Sequence, residues 1–594
     1  MRNAKIVCTL GPASSDRQMI QELAETGMSV ARLNASHGNR KERAELVELV
    51  QRVDEEIGPP IAVMLDLQGP EIRTAPLPEG ETITLEVGSE IRFVEGEQAT
   101  ANRIGLSLPI DPIEPGDRIL LDDGLIKATV LSIEGGTGTE KSSPSREIVA
   151  HVDTGGELGG RKGVNVPGVD LDLEIPTEAD RRELELAANL GVDFVAASFV
   201  RDADDVYAVS EAIEDLGIEI PVISKIERAG AVENLGEIID ASYGVMVARG
   251  DLGVECPMED VPMIQKRIIR ECHRAGRPVI TATEMLDSMI HASRPTRAEA
   301  SDVANAVLDG TDAVMLSAET AVGEHPVTVV ETMGSIIREV EGSEEYAEIL
   351  EQRVPTAGEA RTDALARSAR FLARDIDADA IVTATESGYT ALKTAKYRPG
   401  VPVVGSTPDH AVRRRLALSW GVIPLFAPVS DQSADAVVEK AVQAALDAGV
   451  AESGDTVVVM CGMMTELEGA NTTNMMKVHV AADALATGRV VVEGRTTGVA
   501  VRLADGDLSG IPDGSILVLD PEFDDEFDGS LERIAGIVDA RRGMTGYPAL
   551  IAREMDVPMI SGVDVSAIDD GVEVTLDAER GVVYGGHIGG RLNR

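Results

Sequence analysis

Aromatic residues are scarce in this chain of 594 residues: they make up 3% of it, with a single tryptophan. The four cysteines, Cys8, Cys256, Cys272 and Cys461, stand too far apart in the sequence for a metal-binding pattern or a disulfide framework. Long apolar runs are missing, and the first ten residues lack the layout of a signal peptide. These absences exclude a disulfide-stapled secreted domain and a membrane span. We therefore expect a soluble, cytoplasmic protein with no membrane partner.

Positive charge is also in short supply. Lysine and arginine number 54, and only 11 of these are lysine, against 102 aspartate and glutamate residues, so the formal net charge is −48. No stripe of basic residues is present to neutralise a phosphate backbone, and we expect no nucleic-acid partner. The acidic residues are scattered along the chain, which is typical of a folded protein with a carboxylate-coated surface. Halophilic proteins, which work in concentrated salt, have this composition.

Eight short apolar runs predict buried parallel strands: Ala4–Leu10, Val30–Leu33, Ile61–Leu67, Asp193–Val200, Val222–Ile226, Gly244–Ala248, Val279–Thr283 and Ala313–Ser317. Amphipathic segments predict the helices between them: Ser15–Thr26, Lys41–Glu56, Glu178–Leu190, Asp204–Leu216, Ala229–Ile239, Val261–Ala275 and Arg297–Leu308. Eight strands, each followed by a helix or an insertion, predict an α/β fold built on a closed (β/α)₈ TIM barrel.

The remaining length predicts three further domains. Residues 69–167 alternate polar and apolar side chains between turn residues, which predicts an inserted all-β lid domain at the catalytic face of a barrel formed by 1–68 and 168–343. Residues 344–482 predict a smaller α/β domain, with strands at Ala380–Thr383, Val401–Gly405 and Asp455–Met460. A last domain is expected at 487–594.

Charged residues follow two neighbouring barrel strands where each one ends. Lys225 and Glu227 share one face, since they are two residues apart, while Asp251 follows Gly250, whose missing side chain admits a ligand to a new turn. Two carboxylates and an ammonium suit a divalent cation that bridges a phosphorylated substrate. A structural ion pair at the barrel rim is the alternative interpretation. Polar groups at most of the other strand ends argue against it: Arg32, Asn34, Asp66, Ser198, Arg249, Thr283, Ser317 and Glu319.

Eight segments resemble, in order and spacing, those of the pyruvate kinase family: AKIVCTLGPAS, ARLNASHG, LDLQGPEIRT, GRKGVNVPG, VISKIER, MVARGDLGVE, TATEMLDSMI and VMLSAETAVGEHP. The resemblance covers about residues 1 to 480. It implies a phosphotransferase that converts phosphoenolpyruvate and ADP into pyruvate and ATP, the last step of glycolysis. It also implies Mg²⁺ (or Mn²⁺) and K⁺ as cofactors, an α/β regulatory domain at 344–482, and a homotetramer.

The same resemblance implies roles for the residues at matching positions. Lys225 would stabilise the phosphoryl group in flight, Glu227 and Asp251 would hold Mg²⁺, and Thr283 would stand beside the carbon that is protonated, with Ser317 in the associated proton relay. The implied substrate contacts are Arg32, Lys225, Thr283 and the turn of Arg249, Gly250 and Asp251. The implied nucleotide contacts are Asn34, His37, Arg73 and Lys162. The implied K⁺ ligands are Asn34, Ser36, Asp66 and the carbonyl of Leu67. For Lys162, a solvated loop cation is the alternative.

Some positions depart from the family pattern. Leu67 and Gln68 stand where potassium-requiring members usually have threonine and lysine, whereas Glu71 is the residue associated with that requirement. Because no lysine ammonium replaces the cation at Glu71, we expect potassium dependence. Glu284 and Val322 stand where glutamine and lysine are commoner, which would alter contacts with the nucleotide.

A possible effector site lies in the predicted regulatory domain. Thr385, Ser387, Gly388 and Thr390 surround the start of a predicted helix, where hydroxyl and backbone N–H groups can hold a phosphate, although such residues are as often only a helix N-cap. Tyr389 occupies a position that is often basic in effector-responsive relatives, which argues against a tightly bound sugar bisphosphate.

Residues 487–594 resemble the swivelling phosphohistidine domain of phosphoenolpyruvate-utilising enzymes. The Thr-Ser-His motif of that domain is replaced here by Thr545-Gly546-Tyr547, and His587 falls outside the motif. Tyrosine cannot relay phosphate at neutral pH as imidazole does. We therefore expect a structural or interfacial role for this domain.

Two other classes of function remain open from the sequence. One is another barrel enzyme that acts on phosphoenolpyruvate, a lyase or a phosphohistidine phosphotransferase; the lid insertion counts against the first and the missing histidine against the second. The other is a regulator that keeps the fold without the activity. A binding module has no need of the transfer lysine, so Lys225 argues against it.

Overall fold

The computed structural model describes residues 2–78, 80–108, 110, 112–135, 146–169, 173–355, 360–428, 433–462, 473–482, 484–586 and 588. The chain divides into two compact units. The first comprises Met1–Thr356, Ala395–Arg398 and His410–Pro424, and the second comprises Ala357–Thr394, Pro399–Asp409 and Leu425–Arg594. Strands and helices are numbered below along the whole chain.

In the described part of the first unit, eight parallel strands form a closed barrel: β1 (Lys5–Thr9), β2 (Val30–Asn34), β3 (Ala62–Asp66), β14 (Phe194–Ala197), β15 (Val222–Ile226), β16 (Gly244–Ala248), β17 (Val279–Ala282) and β18 (Ala313–Leu316). Their order around the barrel is β1-β18-β17-β16-β15-β14-β3-β2, so the first and last strands pair and close it. The TIM barrel predicted from eight apolar runs is confirmed.

The barrel strands are apolar on both faces because both faces are buried. Side chains such as Met64, Phe194 and Met246 fill the inside of the barrel. Their neighbours along the strands, such as Val63 and Val245, pack outward against the helices in a second, larger core. Alternation of successive side chains across each strand therefore produces the two layers.

Helices of the first unit surround these strands: α1 (Arg17–Thr26), α2 (Arg40–Glu56), α3 (Glu178–Leu190), α4 (Ala203–Glu214), α5 (Ala229–Glu233), α6 (Leu235–Ala241), α7 (Arg249–Glu255), α8 (Val261–Ala275), α9 (Arg297–Asp309), α10 (Ala318–Ala321), α11 (Pro326–Glu341) and α12 (Glu344–Gln352). The prediction of a single helix over Ala229–Ile239 is wrong. Asn234 leaves the helical conformation (φ −89°, ψ 16°) and its amide donates to the carbonyl of Arg201 at 3.1 Å, so two short helices form instead.

Between β3 and α3 the described residues form the all-β structure that the alternating pattern predicts: β4 (Ile72–Arg73), β5 (Thr82–Leu85), β6 (Glu90–Glu95), β7 (Ala99–Thr100), β8 (Arg103–Leu106), β9 (Arg118–Leu121), β10 (Ile126–Glu134), β11 (Glu147–Thr154), β12 (Gly156–Gly159) and β13 (Gly163–Asn165). An eight-stranded sheet runs in the order β4-β13-β9-β10-β11-β6-β8-β7. It has its own core around Phe93, Ile91 and Ile119, separate from the barrel cores.

The next described segment forms a five-stranded sheet: β19 (Ala380–Ala384), β20 (Val403–Thr407), β21 (Val422–Phe426), β22 (Thr456–Cys461) and β23 (Met475–Val480). Its helices are α13 (Arg361–Asp375), α14 (Tyr389–Ala395), α15 (His410–Leu416) and α16 (Ala434–Asp447). Its strand order is β21-β20-β19-β22-β23, and β23 runs antiparallel to β22. The sequence predicts only β19, β20 and β22, because β21 contains a proline and β23 is a half-exposed edge strand without an apolar run.

The last described segment forms a second eight-stranded sheet: β24 (Ala484–Thr487), β25 (Arg489–Val492), β26 (Arg495–Leu503), β27 (Ser515–Leu519), β28 (Ile534–Asp539), β29 (Met559–Ser561), β30 (Glu573–Asp577) and β31 (Val582–Gly585). Its helix is α17 (Tyr547–Met555). Strands β26 to β29 are parallel neighbours, and α17 connects β28 to β29. Across all described residues, every helix is too short or too polar to cross a bilayer.

Candidate active site

The carboxyl ends of neighbouring barrel strands bring the predicted charged residues into contact. Lys225 on β15 places its Nζ 2.8 Å from Glu227 Oε1 and 3.3 Å from Asp66 Oδ1, at the end of β3. Arg32 on β2 donates from Nε to the other Asp66 oxygen at 2.7 Å and from Nη1 to Thr9 Oγ1 at 2.8 Å. The Glu227 and Asp66 side chains are each 1% exposed. We call Arg32, Asp66, Lys225, Glu227 and Asp251 the charge cluster.

Burial and charge act in opposite directions within this cluster. Burial alone would raise the pKa of Asp66, but the positive charges of Lys225 and Arg32 outweigh it and lower that pKa below its ordinary value. Burial would likewise lower the pKa of Lys225, whereas Asp66 and Glu227, followed by Asp251, raise it. The lysine is therefore held as an ammonium, and Asp66 as a carboxylate.

Asp251 is in a different electrostatic state. Burial, and then the negative charge of Glu227, raise the pKa of Asp251 to about 7, and the two side chains share a hydrogen bond. Two carboxyl groups this close together form a site where a bound cation can take the place of the proton between them. In the described part of the chain, no three or more His, Cys, Asp or Glu side chains form a metal site by themselves.

The turn after β16 is tied to the end of β17. The backbone N–H of Gly250 donates to Thr283 Oγ1 at 2.9 Å, and the Arg249 guanidinium reaches the carbonyls of Ala282 and Thr283 at 3.1 and 2.6 Å. Thr283 has a left-handed backbone (φ 66°), which is uncommon for a β-branched residue. A Cβ on Gly250 would meet the Thr283 side chain at 3.7 Å, an ordinary van der Waals contact, so Thr283 packs directly over this turn.

Ser317 lies at the end of β18, the strand beside β17. Its backbone N–H donates to Glu319 Oε2 at 2.6 Å, and Glu319 also accepts from the N–H of Leu286 at 3.1 Å. Burial raises the pKa of Glu319. The buried glutamate thus joins the loop after β17, which begins at Thr283, to the residue after β18.

The other predicted nucleotide residues divide between the barrel and the inserted domain. His37 is exposed on the loop after β2, and its carbonyl accepts from Arg43 Nη1 at 2.8 Å. Arg73 and Lys162 belong to the inserted domain, where each is already ion-paired: Arg73 Nη2 lies 2.8 Å from Glu71 Oε2 and Lys162 Nζ lies 2.8 Å from Asp122 Oδ1. The structure therefore does not bring these two cations into contact with the charge cluster.

The predicted monovalent-cation ligands gather at the ends of β2 and β3, where Asn34 pairs in register with Asp66. Asn34 Oδ1 accepts from the N–H of Ser36 at 3.0 Å, and the carbonyl of Leu67 follows Asp66 directly. Amide, hydroxyl, carboxylate and carbonyl oxygens are suitable ligands for a hard cation. The donor set fits, although both Asp66 oxygens already face Lys225 or Arg32.

A cleft separates the charge cluster from the inserted domain. Barrel and inserted-domain residues line it together, among them Glu71, Asp123, Asn165, Phe199, Arg228 and Asp251. The inserted domain contributes a hairpin turn in which Asp122, Asp123 and Gly124 all have positive φ. Glu284 and Val322, the two residues whose departure from the family pattern is expected to alter contacts with the nucleotide, are exposed. Neither lines this cleft.

The sequence assigns no role to two contributors next to the cluster. Ser198 Oγ accepts from Lys225 Nζ at 2.7 Å, and the backbone N–H of Phe199 donates to Glu227 Oε2 at 2.6 Å. The position of Ser198 at a strand end was the one available signal. The role of a backbone N–H has no signal in the sequence.

The predicted effector residues lie around the start of α14. Thr385 Oγ1 accepts from the N–H of Gly388 at 2.9 Å, and Thr390 Oγ1 is hydrogen-bonded to Thr473 Oγ1 at 2.8 Å. The hydroxyl of Ser387 lies 3.4 Å from the N–H of Tyr389. The arrangement is that of a capped turn, so the phosphate site stays a prediction.

Thr545-Gly546-Tyr547 stands at the beginning of α17, where Gly546 is the N-cap. The Tyr547 ring packs against Phe527 at a centroid distance of 5.5 Å, and Phe527 packs against Phe523 at 5.7 Å. Tyr547 therefore serves as an aromatic packing residue. His587 lies outside the described residues.

Comparison with known proteins agrees with this architecture. The family pattern described as "Pyruvate kinase, barrel domain" matches residues 1–330, "Pyruvate kinase, alpha/beta domain" matches 363–479, and "PEP-utilising enzyme, mobile domain" matches 511–581. The chain is 43% identical to the pyruvate kinase of Geobacillus stearothermophilus and 41% identical to that of Bacillus licheniformis, in each case over 594 residues and 99% of both chains. It is 40% identical to the pyruvate kinase of Sporosarcina psychrophila, again over 99% of both chains. The chain belongs to the pyruvate kinase family.

Proposed function

We propose that this protein transfers the phosphoryl group of phosphoenolpyruvate to ADP, producing pyruvate and ATP. The observation that carries the proposal is the contact of Lys225 with Glu227 and Asp66 at the carboxyl rim of the barrel, with Asp251 hydrogen-bonded to Glu227. This cluster offers one ammonium, one guanidinium and three carboxyl groups close together. Phosphoryl transfer needs positioning and charge more than it needs a covalent nucleophile.

The residues of the cluster divide the electrostatic work. Lys225, held as an ammonium, stabilises the negative charge on the transferring phosphoryl oxygens, and Arg32 supports the same group from β2. Glu227 and Asp251 would hold Mg²⁺ or Mn²⁺, because Mg²⁺ is usually bound by one or two carboxylates together with substrate oxygens and water. Bound there, the metal neutralises charge on the phosphoryl donor and acceptor.

The loops after β16 and β17 hold the organic part of the substrate. Thr283, whose positive φ turns its hydroxyl towards the Gly250 N–H, would lie beside the substrate, and the turn of Arg249, Gly250 and Asp251 would receive the substrate carboxylate. Arg249 acts by fixing the carbonyls of Ala282 and Thr283. Thr283 and Ser317 are assigned to the protonation of the enolate left when the phosphoryl group departs.

Potassium dependence is proposed from the oxygen donors at the ends of β2 and β3. Asn34, Ser36, Asp66 and the Leu67 carbonyl would hold K⁺, next to nucleotide contacts at Asn34, His37, Arg73 and Lys162. Relatives that need no potassium have a lysine ammonium at the position of Glu71. Here that position holds a carboxylate, which is paired with Arg73, so no ammonium replaces the cation at this position. The net charge of −48 further suggests operation in concentrated salt, where screening reduces repulsion among surface carboxylates.

The finer organisation is proposed on the same resemblance. We assign 1–68 and 168–343 to the catalytic barrel, 69–167 to a lid, 344–482 to a regulatory domain and 487–594 to a non-catalytic appendage. The assembly is a cytoplasmic homotetramer, and an effector phosphate would be held by Thr385, Ser387, Gly388 and Thr390. Light scattering of the purified protein tests the tetramer.

Pyruvate formation from phosphoenolpyruvate, ADP and Mg²⁺ tests the function, measured in concentrated KCl and in matched NaCl. We expect turnover in KCl, weak turnover in NaCl, and none with Lys225→Met, whose binding of phosphoenolpyruvate persists in calorimetry. Lys41→Met is the matched control, since the Lys41 side chain is 85% exposed on α2. Equal rates in both salts would discard the potassium proposal alone. A folded wild-type protein without turnover would overturn the kinase.

A further inference from the structure

Ser198 occupies the one strand end between those that carry Asp66 and Lys225. Strand β14 lies between β3 and β15 in the barrel, and Ser198 follows its last residue. The side chain is buried, with the residue 2% exposed. The Ser198 side chain therefore lies between Asp66 on one side and Lys225 on the other.

The hydroxyl of Ser198 makes two short hydrogen bonds of opposite direction. Oγ donates to the carbonyl of Leu67 at 2.7 Å and accepts from Lys225 Nζ at 2.7 Å, whereas Asp66 Oδ1 lies farther away at 3.5 Å. An ammonium can only donate, so the single hydroxyl proton must go to the carbonyl. The direction of both bonds is thereby fixed.

Lys225 has three N–H protons and meets three acceptors: Ser198 Oγ, Glu227 Oε1 and Asp66 Oδ1. The bond to Asp66 is the longest of the three, at 3.3 Å. The serine oxygen is the only neutral acceptor among them, so it orients the ammonium without adding a further negative charge that would retain it in an ion pair. One N–H can then turn from Asp66 to an incoming phosphoryl oxygen while the other two keep their partners.

The neighbouring residue reinforces the same geometry. Phe199 has a left-handed backbone (φ 60°), a conformation that is strained for a non-glycine residue and persists where the surroundings hold it. In this conformation its N–H reaches Glu227 Oε2 at 2.6 Å. Ser198 and Phe199, the two residues after β14, thus fix Lys225 at the end of β15 and Glu227 directly after it.

We propose that Ser198 is a positioning residue for phosphoryl transfer, which orients the Lys225 ammonium by linking it to the carbonyl of Leu67. This inference rests on the proposed function. Loss of the hydroxyl leaves the ammonium with one acceptor fewer and free to rotate towards the carboxylates. Misplacement of a catalytic group by about 1 Å can lower a rate by about 100-fold.

Ser198→Ala tests the proposal, with Ser224→Ala as the matched control. Ser224 is also a buried barrel serine, but its hydroxyl bonds to Ser242 Oγ at 2.6 Å and not to the cluster. We expect Ser198→Ala to lower kcat by about 10- to 100-fold with the KM for phosphoenolpyruvate changed less than about threefold. Ser198→Thr, which keeps the hydroxyl, should recover part of the rate, and Ser224→Ala should match the wild type.

A second readout does not depend on turnover. Limited acylation with acetic anhydride, resolved by mass spectrometry, reports how freely the Lys225 amine reacts. We expect Ser198→Ala to lower labelling at Lys225 several-fold below Ser224→Ala and the wild type, because an ammonium drawn towards the carboxylates is less often the neutral amine that acetic anhydride acylates. If Ser198→Ala melts early, Ser198→Cys gives the same comparison, because a thiol is a much weaker hydrogen-bonding group than a hydroxyl.

The outcomes separate this inference from the function on which it rests. A wild type without turnover overturns the kinase, and the labelling comparison still decides the contact. An active wild type together with a Ser198→Ala variant whose kcat and Lys225 labelling equal those of Ser224→Ala overturns the positioning role. A change in KM without a change in kcat overturns it as well, because substrate binding alone would then be affected.

Discussion

Lys5 is a buried lysine whose positive charge lowers the stability of the folded protein. It begins β1, and its Nζ donates to the carbonyl of Val422 at 2.7 Å. Burial, and then the nearby charge of Arg2, lower the pKa of Lys5 to about 7. The lysine is therefore a group whose protonation opposes folding near neutral pH.

Lys5→Met should change how stability depends on pH. Between pH 7 and about pH 10 the unfolded chain holds a proton that the folded lysine has lost, so wild-type stability gains on the order of 1 kcal/mol per pH unit from this group as the pH rises. The methionine variant lacks that gain. We expect its free energy of unfolding, relative to the wild type, to be highest at pH 7 and to fall towards pH 10.

Urea titrations of both proteins across this range measure the difference. Lys41→Met is the control, because Lys41 is exposed on α2 and should run parallel to the wild type. A parallel course for Lys5→Met as well would mean that Lys5 stays protonated in the folded protein.

At this scale the sequence predicts spacing within a strand better than contacts between strands. Lys225 lies on a predicted strand and Glu227 follows it two residues later, and the structure places them in contact at 2.8 Å. Ser198 meets Lys225 and Leu67 only because three strands from distant parts of the chain are neighbours in the barrel. No local pattern carries that information, and so the serine was named as a strand end without a role.

Elements are held in place by close backbone approaches, and Gly69 is the clearest case. It stands at the junction between β3 and the inserted domain with a positive φ of 69°. A Cβ there would lie 2.9 Å from both Ser198 Cβ and the Phe199 ring, closer than real contacts allow. The absence of a side chain at Gly69 thus lets the end of β14 approach the charge cluster.

Gly69→Ala should therefore disturb the site through Ser198 and Phe199. We expect kcat to fall at least tenfold and the free energy of unfolding to drop by about 1 to 3 kcal/mol from overpacking, added to the cost of a left-handed alanine. Gly168→Ala is the matched control at the other junction, since φ there is 80° but nothing lies within 4 Å of its Cβ. Equal kcat values for the two variants would contradict this account.

The elements themselves were predicted well where the apolar period was strong. Helices α3 and α8 and strands β15 and β16 have the predicted bounds. The break between α5 and α6 escaped prediction because Asn234 is an acceptable helix residue whose conformation is set by the carbonyl of Arg201. A tertiary contact thus sets the end of α5 and the start of α6.

On the scale of the whole molecule, the last sheet is built around its own apolar interior. Leu517, Ile537 and Met559 pack on one side of it, and Val518, Val538 and Ile560 pack on the other. The core of the five-stranded sheet is distinct, with Val382, Val404 and Val459. A domain that has a hydrophobic core of its own depends little on contacts with the neighbouring domain for its stability.

A chain that ends at residue 482 should accordingly stay folded and active. We expect kcat within about twofold of the full-length protein, because Tyr547 stands where a phosphate-carrying histidine would be needed for catalysis. Steady-state assays with both lengths, each checked by thermal melting, measure this. Loss of turnover in a truncated protein with an unchanged melting profile would assign the appendage a part in the reaction.

The pairing of β1 with β18 has a consequence for synthesis. Lys5 pairs with Ala313 and Cys8 with Leu316, so the first barrel strand waits for the last barrel strand before the barrel can close. The inserted sheet, with its own core, lies wholly within that interval and can fold as it leaves the ribosome. Between residue 165, where the inserted sheet ends, and residue 316, the nascent chain therefore carries a finished inserted sheet on an open barrel, whose unclosed strand edges must be shielded until β18 emerges.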